Sequence, residues 1–228
     1  MGDKMESNDL VMEDLSKVYV IKRRLYFIIK RLFDICCSLV GMLILIPLTI
    51  IVKICYICTG DFGSIFYRQE RLGKNGVVFS LYKYRTMVKN ADEKLKELLN
   101  NNESLKEEYL ENHKLKNDPR ITRCGKLLRK LSLDEFPQFI NVFLGQMSLI
   151  GNRPYLPREK EHMGKYYDEI VKTKPGITGL WQVSGRSDVS FKKRLELEKR
   201  YSNENSLRLD IKILWHTFRA VLKGDGAL

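Results

Sequence analysis

Histidine, tryptophan, proline and cysteine are all scarce in this chain: three, two, six and five residues among 228. His113, His162 and His216 are too dispersed to form a metal site. Cys55-x-x-Cys58 has the spacing of half a zinc site, but no second CxxC or HxxxH pair completes four ligands. The five cysteines are odd in number and four lie in or beside an apolar run, so small unpaired thiols in a reducing compartment are expected. The glycine patterns of a P-loop or a Rossmann turn are absent, as are internal repeats, which excludes those nucleotide-binding designs and solenoids. Disorder is excluded too, since 44% of residues are hydrophobic and 30% charged.

What is present in excess is positive charge. Forty Lys and Arg against 28 Asp and Glu leave a net +12, which calls for an anionic partner. Nucleic acid, anionic lipid and a phosphorylated substrate all qualify. Nucleic acid is disfavoured by the lack of zinc-ligand spacing, of an RRM-like aromatic strand and of a convincing recognition helix.

Eighteen residues from Ile35 to Val52 carry no charge, and Ile54 to Cys58 continue the run after Lys53. A straight helix of that uncharged length rises roughly 27 Å, close to the hydrocarbon thickness of a bilayer. The run starts too far into the chain for a cleavable signal peptide. Pro47 removes a backbone donor and crowds the carbonyl of Leu43, and basic residues flank both ends, so positive-inside counting gives no direction. A proline-broken re-entrant helix and a spanning helix with a tolerated kink both remain open. Residues 17–34 place Val18, Ile21, Leu25, Ile28, Ile29 and Leu32 at helical spacing among Lys and Arg, a basic amphipathic helix suited to an anionic membrane face. The expected organisation is an arm and amphipathic helix over 1–34, with 1–20 a mobile arm, a membrane helix over 35–58 and a catalytic domain over 59–228.

Beyond residue 58, two β-rich runs flank Gly73-Lys74-Asn75-Gly76, predicting a hairpin. Lys83 and Arg85 would share one strand face, for phosphate or for solvent. Residues 87–117 read as a solvated helical stretch, and 206–222 as an amphipathic helix with Trp215 and Phe218 suited to an interface or to core packing. Asp134-Glu135 stand between a basic stretch and an apolar one. Ser132-x-x-Glu135 reads as a capping box, and Pro137 as an early position of a helix capped by Asp134. The pair therefore either caps a helix or carries chemistry.

The ordered blocks decide between these. Lys30-Arg31-x-Phe33-Asp34 precedes the apolar helix, and Gly60-Asp61, Gln69, Arg71, Gly73 and Gly76 follow it. Then come Lys83-Tyr84-Arg85-Thr86-Met87, Asp118-Pro119-Arg120, Gly125-Lys126-x-x-Arg129 and Ser132-Leu133-Asp134-Glu135-x-Pro137-Gln138. Met147-Ser148-Leu149-Ile150-Gly151-x-Arg153-Pro154 and Lys174-Pro175-Gly176-Ile177-Thr178-Gly179-Leu180-Trp181-Gln182 complete the set. From about Lys30 to the C-terminus the chain resembles the bacterial sugar transferases of the small monotopic phosphoglycosyl transferase type.

That resemblance implies an α+β, mainly helical fold: a re-entrant membrane helix broken at Pro47, a short hairpin, interfacial amphipathic helices and a catalytic domain at the cytosolic face of the inner membrane. It implies a UDP-sugar donor, a polyprenyl phosphate acceptor, Mg2+ and release of UMP. Asp134 is then the nucleophile and Glu135 helps hold the metal. Lys83, Arg85, Arg120, Arg129 and Arg153 are the phosphate-binding candidates, and Trp181 and Gln182 either shape the nucleotide or sugar pocket or pack in the core. Direct attack by the polyprenyl phosphate, and a catalytically silent basic scaffold, are the competing readings. The chain departs from the pattern at Ser64, Gln146, Asn152, Glu198 and Asn205, where proline, aspartate, proline, aspartate and tryptophan are frequent. Neither the sugar nor an oligomeric state is legible.

Overall fold

The long apolar run and the basic stretch before it need a partner surface along their whole length, and the fold supplies one. In a computed structural model, which describes residues 2–112, 115–185 and 189–223, a single helix α1 runs over Gly2–Cys58 with Pro47 inside it. The expected division into an arm, an amphipathic helix and a separate apolar helix is thus a single helical element, and residues 2–20 belong to it. His113 lies outside the described residues.

Tyr26, Asp34, Ser38, Gly41, Leu45, Val52 and Tyr56 are buried along α1 at steps of three, four, seven or eight residues, the stripe of one helix face. Each lies against a part of the chain far away in sequence. Tyr26 and Lys30 reach Asp210, at 3.0 and 2.7 Å. Asp34 accepts from Ser148 Oγ and the Leu149 amide, at 3.0 and 2.9 Å. Gly41 leaves room for the Phe139 ring, which any Cβ there would strike. Thr49 Oγ1 lies 2.6 Å from Tyr84 Oη, and the Tyr56 hydroxyl donates to the Arg85 carbonyl. From Tyr26 to Tyr56 this stripe extends about 45 Å. On the opposite face Leu25, Leu32, Val40, Leu43, Ile46, Ile50, Ile51 and Ile54 are exposed. Lys17–Cys58 is long and apolar enough to cross a membrane, by length and composition.

Strands β1 (Phe66–Leu72) and β2 (Val78–Tyr84) form the expected hairpin, turning through Asn75 and Gly76, both with positive φ. Arg71 pairs with Phe79 and Tyr67 with Lys83, so Arg71, Leu81 and Lys83 fall on one face of the ribbon. Helices α2 (Ala91–Asn101) and α3 (Glu103–Asn112) form the charged stretch. Helix α4 (Arg123–Lys130) begins at Thr122, whose hydroxyl accepts from the Gly125 amide at 2.9 Å.

A 3-10 turn over Leu133–Glu135 then leads into the short helix α5 (Gln138–Phe143). The expected capping box is not formed: Ser132 is left-handed, its side chain caps nothing, and Pro137 immediately precedes α5 instead of lying inside it. Two successive prolyl-compatible turns, not one helix start, carry the acidic pair.

Strands β3 (Ser148–Ile150) and β4 (Gly176–Thr178) pair in parallel, with Gly151 and Gly176 so close to the facing backbone that a Cβ on either would collide with it. Between them lie α6 (Lys160–Met163) and α7 (Tyr167–Ile170). Helices α8 (Leu180–Val183), α9 (Phe191–Glu204) and α10 (Leu207–Lys223) close the chain. One core joins Phe79, Leu81, Val142, Met147, Ile150, Tyr201 and Ile213; a second joins Leu45, Val52, Tyr56, Tyr84, Cys124 and Leu128, making α1 a wall of the folded domain.

The expectation of unpaired thiols is corrected at one pair. Cys55 of α1 and Cys124 of α4 form a disulfide, because the second core brings these two helices together; Cys36, Cys37 and Cys58 are free.

Candidate active site

The acidic turn is set against the hairpin by Asn141 of α5. Its Oδ1 accepts from the Tyr82 amide at 3.0 Å, and its Nδ2 donates to the Ser80 carbonyl at 2.8 Å and to Gln146 Oε1 at 2.7 Å. A fully buried amide thus completes the edge of β2 and fixes the distance between the turn and the strand face. Gln146, where the family pattern has aspartate, serves here as a neutral acceptor for that amide.

Across this junction Lys83 Nζ lies 2.7 Å from Glu135 Oε1. Arg71, Leu81, Lys83, Glu135, Gln138, Arg153, Pro154, Gly176, Ile177, Trp181 and Gln182 line an open cleft. Asp134 sits beside it, within the fields of Lys83, Glu135 and Arg129.

The two carboxyls differ in character. Desolvation holds the Asp134 carboxyl above the usual range, with the charge of Glu135 adding to it and Lys83 and Arg129 opposing. Desolvation acts on Glu135 too, but Lys83, Arg153 and Arg71 together outweigh it and hold that carboxyl below the usual range. The two neighbouring carboxyls therefore differ in how readily each holds a proton, Asp134 more and Glu135 less than an ordinary carboxyl.

The sequence-chosen cations separate into two groups. Lys83, Arg153 and Arg129 belong to the acidic pair's surroundings, Arg129 Nε donating to Thr86 Oγ1 at 3.0 Å. Arg85 and Arg120 are taken up elsewhere. Arg85 lies just past β2, where it forks onto both oxygens of Asp61 at 2.9 Å and also donates to the Ser64 and Met87 carbonyls. Its expected partnership with Lys83 on one strand face ends because the strand ends at Tyr84. Arg120 is buried in a forked pair with Asp118, at 2.8 and 2.6 Å. Both pairs hold loops in place, and their carboxyls are lowered by those arginines.

One residue that motif reading left unassigned lies in the cleft. Arg71 donates to the Pro154 carbonyl at 2.8 Å and to Gln69 Oε1 at 2.5 Å, which fixes the loop carrying Arg153. The ribbon alternation would have found it, since Arg71 and Lys83 share a face.

The loop departures also have structural roles. Asn152 Nδ2 lies 2.7 Å from Ser202 Oγ and 3.0 Å from the Ile170 carbonyl, tying the Arg153 loop to α9 and to the end of α7. Glu198, 1% exposed, accepts the Arg153 amide at 2.9 Å. Asn205 donates to the Ser202 carbonyl and receives Arg23 at its own carbonyl.

Two adjacent carboxyls thus lie beside a cleft lined by Lys83, Arg71 and Arg153, on a domain packed against a helix long and apolar enough to cross a membrane. The chain belongs to the bacterial sugar transferase family, whose description matches residues 25–224. It is 46% identical over 199 residues to an "Undecaprenyl-phosphate galactose phosphotransferase" of Salmonella typhimurium, covering 87% of this chain and 41% of the relative. It is 40% identical over 198 residues to the "Exopolysaccharide production protein ExoY" of Rhizobium meliloti, covering 87% of each. A "UDP-glucose:undecaprenyl-phosphate glucose-1-phosphate transferase" of Klebsiella pneumoniae is 34% identical over 206 residues, covering 86% of this chain and 40% of the relative. The chain thus spans about two-fifths of the length of the larger relatives.

Proposed function

We propose that the chain transfers a sugar 1-phosphate from a UDP-sugar to a polyprenyl phosphate, releasing UMP. The observation that carries this reading is the acidic pair with its carboxyls driven apart, set beside a cleft lined by Lys83, Arg71 and Arg153. The names of the relatives support both the phosphosugar and the undecaprenyl carrier.

An Asp134 carboxylate oxygen attacks the sugar-bearing β-phosphorus. The bond from that phosphorus to the bridging oxygen breaks, and UMP leaves with the electron pair. An oxygen of the polyprenyl phosphate then attacks the same phosphorus, the bond to Asp134 breaks, and a polyprenyl diphosphosugar forms. Splitting the transfer lets two bulky substrates use one site in turn. Cations must offset the repulsion between a carboxylate and a diphosphate, and Lys83 and Arg153 are placed to do so.

Among the described residues no group of three carboxylate, histidine or cysteine ligands is assembled. Two carboxylates fit Mg2+, which typically takes one or two from a protein and completes its shell with phosphate oxygens and water. Asp134 and Glu135 would hold it, and when bound it supplies charge neutralisation at the diphosphate.

The length of the α1 stripe supports a monotopic arrangement in the cytoplasmic membrane with the catalytic domain on the cytosolic side. Domain contacts accompany the helix for about 45 Å, beyond the roughly 30 Å hydrocarbon core, so a perpendicular crossing would pull the domain into lipid. A helix entering one leaflet, bending at Pro47 and presenting only its exposed apolar face, avoids that.

The test is a panel of UDP-sugars with full-length protein in nanodiscs, scored by UMP release and intact mass. We expect UMP, a phosphosugar adduct when acceptor is omitted, and loss of both in Asp134→Asn by at least 1,000-fold, the scale of a removed nucleophile. UDP as product, or an Asp134→Asn variant retaining substantial turnover, would overturn the scheme.

A further inference from the structure

Buried hydrogen-bond donors without partners are rare in folded proteins, because each one forfeits its solvation for nothing. Three of them meet at one cleft. Arg71 Nε, Arg153 Nε and Trp181 Nε1 are all buried, all unpartnered, and all belong to residues lining the same cavity. Arg71 is 8% exposed and Trp181 9%, so neither reaches bulk water by a side-chain rotation.

Their arrangement gathers like charge. Arg153 lies 5.9 Å from the Trp181 ring centre, and Arg194 stacks on the same ring at 4.4 Å. Burial and the neighbouring charge of Arg153 push the Arg71 guanidinium down to about 10. Glu135 and Glu159 offer Arg71 some compensation and Glu135 and Glu198 stand near Arg153, but no carboxylate accepts a hydrogen bond from the Arg71 guanidinium. Arg85 and Arg120 of the same chain show the contrast, each forked onto an aspartate. Arg71 and Arg153 are built for an anion that brings its own acceptors.

Resting on the phosphosugar-transfer reading above, we infer that Arg71, Arg153 and the indole N–H of Trp181 form the pocket for the nucleotide-side phosphate of the donor, the group that departs as a nucleoside monophosphate. A phosphate monoester is the shared chemistry of UMP and of the lipid acceptor, and the position favours the nucleotide. Among the described residues none of α1 lines this cleft, whereas a polyprenyl chain must come from the lipid face. The attacked phosphorus belongs nearer Asp134 and Lys83, with the departing phosphate held one step further along the cleft. Arg71 then serves the first half-reaction by stabilising the charge that grows on the leaving group.

Two variants test this in full-length protein in nanodiscs. Arg71→Lys keeps the charge and loses the fork. Trp181→Phe keeps an aromatic face for Arg153 and Arg194 and removes only the N–H. UMP binding should weaken at least tenfold in Arg71→Lys and three- to tenfold in Trp181→Phe. Uridine binding and kcat/KM for a short-chain polyprenyl phosphate should stay within twofold of wild type. Thermal unfolding without ligand separates a folded variant from a damaged one, and Trp181→Phe carries the test if Arg71→Lys does not fold.

Wild-type affinity for UMP in both variants would overturn the inference, as would equal losses for UMP and uridine. A selective loss in kcat/KM for the polyprenyl phosphate would assign the pocket to the acceptor and overturn it as well. If wild-type protein neither binds UMP nor releases it from any UDP-sugar, the phosphosugar-transfer reading itself fails, a result distinct from unaltered variants of an active enzyme.

Discussion

Glu198 offers a stability test that depends on no substrate. Its carboxyl is 1% exposed, and Oε1 accepts the Arg153 amide at 2.9 Å. Burial pushes the carboxyl up to about 7 from an ordinary value of 4.5, opposed by hydrogen bonds from Tyr155 and the Arg153 amide and by the charges of Arg153 and Arg194. The folded protein therefore holds this proton more tightly than the unfolded chain does. Stability from this group is fully present below pH 4.5 and is lost as the pH rises through about 7. At about 1.4 kcal/mol per unit, the cost of ionising it approaches roughly 3 kcal/mol above pH 7. Glu198→Gln removes the titration and keeps an oxygen for the Arg153 amide. At about 2–4 °C per kcal/mol for a chain of this size, the variant should melt on the order of 5–10 °C above wild type at pH 8, with little difference at pH 4.5. Melting curves at both pH values in one detergent measure this. An equal gain at the two pH values, or none at pH 8, would refute the reasoning.

Other expectations follow from the same geometry. Asp118→Asn leaves the buried Arg120 without its charge partner and should cost about 3–5 kcal/mol, read as a lowered denaturation midpoint. Gly41→Leu drives a side chain into the Phe139 ring, and should cost about 1–3 kcal/mol and loosen α1 from α5, measured by faster hydrogen exchange in α5. Turnover should rise with pH through the Asp134 pKa, which lies above the ordinary 3.8, because only the carboxylate attacks. A rate that does not fall on acidification of the wild-type protein would argue against Asp134 as nucleophile.

The hairpin was legible because Asn75 and Gly76 supply the positive φ values that a tight turn needs between two β-rich runs. The apolar stretch of α1 was legible by its length, but the packing stripe was not: its Tyr26, Lys30 and Asp34 look like ordinary amphipathic residues until Asp210 and Ser148 arrive from over 100 positions away. The acidic pair was found through its motif. Which cations lie near it is set by competition that the motif does not encode. Arg85 goes to Asp61, 24 residues back, and Arg120 to Asp118, two residues back. The second pairing is local enough to have been read from Asp-Pro-Arg alone. The capping expectation failed at Ser132, whose left-handed backbone turns its side chain away from the amides it would have capped.

The Cys55–Cys124 bridge and the stripe from Tyr26 to Tyr56 bear on how this protein can be born. An anchor that merely tethers can be cut away to leave a soluble enzyme; α1 cannot, because it contributes Leu45, Val52 and Tyr56 to a core otherwise made of Ile65, Tyr84, Cys124 and Leu128. Ribosomal synthesis delivers α1 first, and its packing partners emerge up to 180 residues later. In the monotopic arrangement proposed above, lipid covers one side of the helix until then while the other waits bare. Insertion and folding are coupled in that arrangement, and a fragment starting after residue 58 should emerge as an aggregate rather than as a free catalytic domain.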